Sequence, residues 1–190
     1  MQEFSISDAC IDGIKIINPF IYEDERGVFV KDFDSTVFID NGLGDKFVFN
    51  EEFFSVSKKG VVRGLHFQVL NPQAKLVSCT RGKVCDVIVD LRKNSKSFGK
   101  YFMIELSEDN HKVVYIPKGF AHGFLSLEDN SVTSYKCIGE FSKSNDSNIL
   151  WNDKELDIKW PLEMINEIIL SDRDKKAMSF KEFCDKYGGL

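Results

Sequence analysis

KGVVRGLHFQVLNPQAKLVSCT, residues 59–80, holds two strand-like runs, VVRGLHFQVL and AKLVSCT, on either side of a polar loop. Three side chains able to do chemistry sit on them: Arg63, His66 and Lys75. In a regular strand, successive side chains point to opposite faces. Arg63 and Leu65 are therefore expected on one face, and Gly64, His66 and Gln68 on the other.

The same grammar extends in both directions. Upstream, residues 11–22 read as a first strand ending at Pro19, 23–27 as a polar turn, and 28–33 as a second strand. STVFIDNGL (35–43) reads as a short helix with Ser35 as N-cap and Gly42 as stop. Residues 46–58 are strand-rich. Downstream, Arg81-Gly82 makes a turn into a strand that runs to residue 92. Further strands are expected over 100–106, 111–117 and 131–141. Between the last two, KGFAHGFLSL (118–127) places glycines on both sides of His122. Residues 142–162 read as a polar loop with two Trp anchors, and 165–174 as a short strand leading into a charged turn. KKAMSFKEFCDKY (175–187) is an amphipathic helix stopped by Gly188-Gly189. Many short strands divided by Gly, Asn, Asp and Ser turns favour an antiparallel sandwich or barrel. With no repeat or linker, one domain over 1–190 is expected.

Composition narrows the function classes. The chain has 190 residues, enough for a sizeable core, and seventeen Phe that can fill it or line a pocket or interface. Net charge is −5 with the signs mixed, so nucleic acid is not an expected partner. The five cysteines, Cys10, Cys79, Cys85, Cys137 and Cys184, are odd in number and form no CxxC pair. They read as reduced thiols of a cytoplasmic protein. MQEFSISDAC has neither the basic nor the apolar region of a signal peptide, and no apolar run approaches a membrane span.

Nucleotide-binding glycine loops, HExxH and GxSxG are absent from the sequence. His66, His111 and His122 are far apart, with no HxH, so a metal site is not expected. An acid–base site without metal can be assembled from other residues. His66 suits a general base, because imidazole titrates near neutrality. Tyr135 could donate a proton to a developing carbanion, and Lys75 could stabilise an enolate oxygen. A carboxylate in SDRD (171–174) could orient the His. Each has a plainer reading: a rim tyrosine, a solvated lysine and a helix-capping turn.

RGLHFQ (63–68), AKLV (74–77), RGKVCDVIVDLRKNSKSFGKY (81–101), IPKGFAHGFLSL (116–127), SYKC (134–137), IKWPL (158–162) and LSDRD (170–174) together resemble the dTDP-4-dehydrorhamnose 3,5-epimerase family. The resemblance runs from about Gly13 to Asp174. It implies a mainly β, cupin-type antiparallel jelly roll with short peripheral helices and a C-terminal helix. It also implies a homodimer, no metal or other cofactor, and a nucleotide-diphosphate 4-ketosugar as substrate, epimerised beside the ketone at C3 and C5. By this resemblance His66 is the base, Asp174 its orienting partner, Lys75 the enolate stabiliser and Tyr135 the acid. His122, Gln68, Phe29 and Arg173 fall on substrate-side positions, and Arg26 and Arg63 on arginines suited to a diphosphate.

Departures from the family pattern raise alternatives. Lys31 stands where the family usually has Glu, and Glu51 and Phe53 where it usually has Gln and Asn. Lys31 and Glu51 either pair with each other or recognise a base other than thymine, as in a CDP, UDP or GDP sugar. Phe141 replaces a usual Tyr and Asp146 a usual Glu, which opens single epimerisation. From other classes, a non-catalytic sugar-nucleotide binder and a metal-dependent cupin oxygenase remain to be weighed.

Overall fold

The computed structural model describes residues 1–43 and 47–190, so Lys46, the start of one expected strand-rich stretch, lies outside the described residues. Its strands are β1 (Ser5–Asp8), β2 (Lys15–Asn18), β3 (Phe20–Asp24), β4 (Gly27–Lys31), β5 (Glu51–Ser57), β6 (Val62–Gln68), β7 (Ala74–Arg81), β8 (Lys83–Asp90), β9 (Tyr101–Ser107), β10 (Val113–Ile116), β11 (Phe120–Ser126), β12 (Ser131–Ile138) and β13 (Asp146–Asn148). Helices are few and short: α1 (Ser35–Asp40), α2 (Asp172–Lys175) and α3 (Phe180–Tyr187), with a 3-10 turn at Leu162–Met164.

The strands form a jelly roll. One sheet has the order β1-β2-β10-β7-β12-β5 and the other β13-β6-β11-β8-β9, while β3 and β4 make a separate hairpin. All of these pairings are antiparallel. Burial follows the sequence pattern strand by strand. In β12 (SVTSYKCI) buried and half-buried residues alternate without exception, as expected of a strand with one covered face. In β8 (KVCDVIVD) every residue after the first is buried, because both faces are covered. One face packs between the sheets, where Val84 and Ile88 meet Val77, Val114 and Phe124. The other carries Cys85, Val87 and Val89 against Ile149, Trp160, Phe180 and Phe183 of the C-terminal segment.

That C-terminal cover is held by local chemistry. Ser179 and Glu182 form a reciprocal capping box at the start of α3, and Gly188 closes it in the left-handed conformation at φ 65°. Phe180 and Phe183 then project from one helix face into the core. The helix is shorter than the expected 175–187, because residues 172–175 form their own turn capped by Ser171.

Strand β6 departs from regular alternation, and the departure builds the site. His66 pairs with His122 and Arg63 with Phe124, so three steps along β6 match two along β11. A bulge therefore lies between them, and Arg63 and His66 end on the same face, contrary to the regular-strand expectation. Gly64 takes up the change at φ 141°. A Cβ on it would lie 2.5 Å from the Gly123 Cα, so glycine is required by both conformation and close strand approach.

Other boundaries also differ from expectation. Residues 11–22 split into β2 and β3 around Pro19. The polar 142–162 segment contains β13, which has no hydrophobic signature and exists through its pairing with β6. Residues 165–174 contribute one parallel bridge, Ile169 to Val61, in place of a strand.

Gly64→Ala is expected to lower stability by about 2 kcal/mol or more. Thermal unfolding would show this as a fall in Tm of about 4–8 °C for a chain of this size.

Candidate active site

A cavity of about 300 Å³ is lined by Glu51, Phe53, His66, Phe67, Gln68, Gln73, Lys75, Phe141, Asp146 and Arg173, from both sheets. The bulged β6 supplies His66 and Gln68, β7 Lys75, and β5 Glu51 and Phe53. Asp146 lies on β13 and Arg173 on α2, and the two form an ion pair at 2.6 Å.

His66 Nε2 lies 2.7 Å from Asp174 Oδ1. The histidine side chain is 31% exposed and the aspartate 4%, so one end of the pair reaches the cavity and the other is sealed. A neutral ring here donates its Nε2 hydrogen to the carboxylate, which leaves Nδ1 with the lone pair a base needs. Asp174 is also hydrogen-bonded by Ser171 Oγ at 2.9 Å and Asn148 Nδ2 at 3.2 Å. Burial alone would raise its pKa, but hydrogen bonds from His66, Ser171 and Asn148 together hold it below the ordinary carboxylate value.

Tyr135 stands on the facing sheet. It is paired opposite Val77 and Phe53, and the Phe53 ring stacks on it at 4.8 Å and 18°. It is 8% exposed, so it lies beneath Phe53 rather than on the cavity wall. Burial, with the negative charge of Asp86 added, pushes the phenol pKa up strongly and keeps its proton in place. Lys75 is pushed in the opposite direction by burial, and nearby Cys137, Asp146, Asp86 and Glu51 oppose that shift.

His122, expected to touch substrate, is buried with Nε2 2.7 Å from Asp86 Oδ2. Its ring meets Tyr135 edge-on at 5.9 Å. Asp86 is fully buried, and its Oδ1 has no hydrogen-bond partner among the described residues. Its charge adds to the upward push on the Tyr135 phenol and opposes the downward push of burial on Lys75.

The remaining expected residues divide into two groups. Arg63 opens onto an adjoining groove shared with His66, Arg173 and Asp174, and it donates to Ser57 Oγ at 3.2 Å. Arg26 and Phe29 lie on the exposed β3–β4 hairpin, where Arg26 is clamped to Asp24, and neither lines the His66 cavity. Lys31 pairs with Asp34, and Glu51 accepts from Gln73 Nε2 at 2.9 Å, so of the two readings of this pair, the one in which Lys31 and Glu51 bond to each other is not what the structure shows. Sequence reasoning missed Gln73, Asn148, Ser171 and Asp86. Asp86 did carry a signal: it is the one charge within the apolar run VCDVIV. Of the other three, Asn148 lies on the short polar β13, Gln73 in the loop before β7 and Ser171 at the cap of α2, with no periodicity to single them out.

A family model described as dTDP-4-dehydrorhamnose 3,5-epimerase matches residues 8–182. A protein of that name from Methanothermobacter thermautotrophicus is 44% identical over 96% of this chain and 97% of its own length. Another from Shigella flexneri is 42% identical over 90% and 92%. Among solved structures, a dTDP-6-deoxy-D-glucose-3,5-epimerase from Legionella pneumophila, in complex with dTDP-4-keto-L-rhamnose, aligns with a TM-score of 0.88 at 40% identity, covering 93% of each chain. A 3′-monoepimerase from Streptomyces bikiniensis in complex with dTDP-quinovose aligns at 0.87 with 30% identity, covering 95% of this chain and 89% of its own.

Because the folded Asp174 carboxyl is held below its unfolded value of 3.8, its contribution to stability is present above that pH and lost as pH falls through the folded value. Asp174→Asn is expected to cost about 2 kcal/mol near neutrality. The difference from the parent protein should shrink as pH falls below 3.8 and through the folded value, in denaturant titrations repeated across pH.

Proposed function

The chain belongs to the dTDP-4-dehydrorhamnose 3,5-epimerase family, and on that premise we propose that it inverts C3 and C5 of a dTDP-linked 4-keto-6-deoxyhexose, with His66 as base and Tyr135 as acid. The observation that carries this assignment is the His66–Asp174 pair, open at one end to a cavity shared with Lys75 and facing Tyr135 on the opposite sheet.

A C–H beside a ketone is acidic because the carbanion delocalises onto the carbonyl oxygen. His66 Nδ1 takes that proton, and Asp174 stabilises the imidazolium that forms. Lys75 faces the developing enolate oxygen, and the arriving negative charge favours its ammonium form against burial. Tyr135, kept protonated by burial beside Asp86, returns a proton to the carbon from the other face, and the centre inverts. A phenolate beside Asp86 is disfavoured, so Tyr135 regains a proton from solvent while His66 releases one. The same cycle at the second carbon completes the reaction. Gln68, Glu51, Phe53, Phe141 and Asp146 line the space for the sugar, with His122 buttressing Tyr135. Arg63 and Arg173, at adjoining openings, suit a diphosphate by charge and forked geometry.

The relatives at 36–44% identity are named for two-centre epimerisation of dTDP sugars, which favours C3 and C5 over a single centre. We further propose that the whole chain is one catalytic domain working as a homodimer. The outer face of β5 exposes Phe54 and Val56, and the β3–β4 hairpin exposes Val28 and Phe29. In a dimer these apolar strips cover one another, and the hairpin of a second copy brings Arg26, Phe29 and Lys31 to a substrate that one chain alone leaves out of their reach. Buried thiols at Cys79, Cys85 and Cys137 fit a reducing cytoplasm. No helix among the described residues is long and apolar enough to cross a membrane.

Incubation with the dTDP-4-keto-6-deoxyhexose in deuterated water should place deuterium at two ring carbons, with inversion of both. His66→Ala should slow exchange by about 10²–10⁴-fold. Tyr135→Phe should retain exchange better than inversion. Full activity in both variants would remove the assigned roles, and an unchanged substrate would leave a binder. Phe54→Asp with Val56→Asp should halve the mass measured by sedimentation and lower kcat/KM.

A further inference from the structure

Asp174 holds more hydrogen bonds than orienting a base requires. Ser171 is accounted for as the cap of α2, since its Oγ also accepts the Asp174 backbone N–H at 3.1 Å. Asn148 has no such local duty. It lies on β13 in register with His66 across the β13–β6 pairing. Its Nδ2 donates to Asp174 Oδ1 and to the Arg173 carbonyl, both at 3.2 Å. Both partners are acceptors, so the amide has one orientation that satisfies them, with nitrogen toward α2. One amide group thus ties the strand beside the base to the backbone and the carboxylate of the helix that orients it.

We propose that Asn148 is a positioning residue for the His66–Asp174 pair: it fixes the plane of the carboxylate and, by sharing Oδ1, limits how strongly Asp174 draws on the His66 ring hydrogen. The inference rests on the catalytic roles given to that pair above. Without Asn148, Oδ1 has His66 as its only side-chain donor, and the carboxylate can turn about its last bond. The charged groups around Asp174 do not replace it. His66 faces it from β6, Arg63 shares its groove, and Arg173 is engaged by Asp146 of β13. On α2 itself, Asp172 and Lys175 pair with each other at 3.4 Å. Asn148 and Ser171 are the neutral side-chain donors to the carboxylate.

The test is carbon-13 NMR of the full chain labelled at aspartate carboxyls, with the Asp174 signal assigned through Asp174→Asn. In Asn148→Ala the Asp174 midpoint should rise by about one pH unit, the scale of one hydrogen bond to a charged group. In the near-isosteric Asn148→Asp it should rise further, because a like charge replaces a donor. With substrate, kcat should fall about tenfold at unchanged KM, as for a group felt mainly in the transition state. An unmoved Asp174 midpoint in both variants overturns the proposal whatever the activity. A moved midpoint in a parent protein that exchanges no substrate hydrogen upholds the positioning role and removes the epimerase assignment instead.

Discussion

The contact on which the site depends is the 2.7 Å hydrogen bond between His66 and Asp174, residues 108 positions apart. A carboxylate with 4% exposure is costly to keep charged unless its oxygens are occupied. His66, Asn148 and Ser171 occupy them, and each comes from a different element: β6, β13 and the cap of α2. The segment from Asn148 to Asp174 is therefore tied at both ends to one buried carboxylate. This tie adds to the β6 pairing that holds β13 and to the Ser171 cap that holds α2, elements with little intrinsic stability.

The interior between the sheets combines two environments. Apolar side chains such as Ile88, Val114 and Phe124 pack there. Polar groups stand among them: His122 directly opposite Ile88 and His66, Asp86 directly opposite Phe124, and Tyr135 directly opposite Val77. Low polarizability there strengthens every charge interaction. Asp86 illustrates the consequence: one oxygen is matched to His122, and the charge of the group is felt at Tyr135 and Lys75. The same burial pushes the Tyr135 phenol up and the Lys75 amine down. Both shifts favour the neutral form of the group, because burial penalises charge.

Much of this was legible in the sequence. Alternation and turn residues pointed to the antiparallel β architecture, and RGLHFQ, SYKC and LSDRD carry, by resemblance, the residues proposed as base, acid and orienting carboxylate. The expected positions His66, Lys75, Glu51, Phe53, Gln68, Phe141, Asp146 and Arg173 meet around one cavity. Less legible were residues whose importance depends on what faces them. Asn148 and Gln73 lie in stretches that read as polar loop, and acquire partners only when β13 and the turn before β7 are placed. Asp86 was visible as a charge in an apolar run, but its match with His122, 36 residues away, was not.

What the sequence determined by itself was local: strand periods, the capping box of α3, the glycines at 64 and 123, and the identities of the groups able to exchange protons. Tertiary structure decided which face those groups occupy. A regular β6 would place Arg63 and His66 on opposite faces, because side-chain direction alternates with every residue. The bulge against β11 shifts that alternation by one, and it can do so only where two glycines let the strands approach closely. Pairing across strands is a property of two segments at once, so RGLHFQ taken alone offered His66 as a candidate base but could not say which way Arg63 turned.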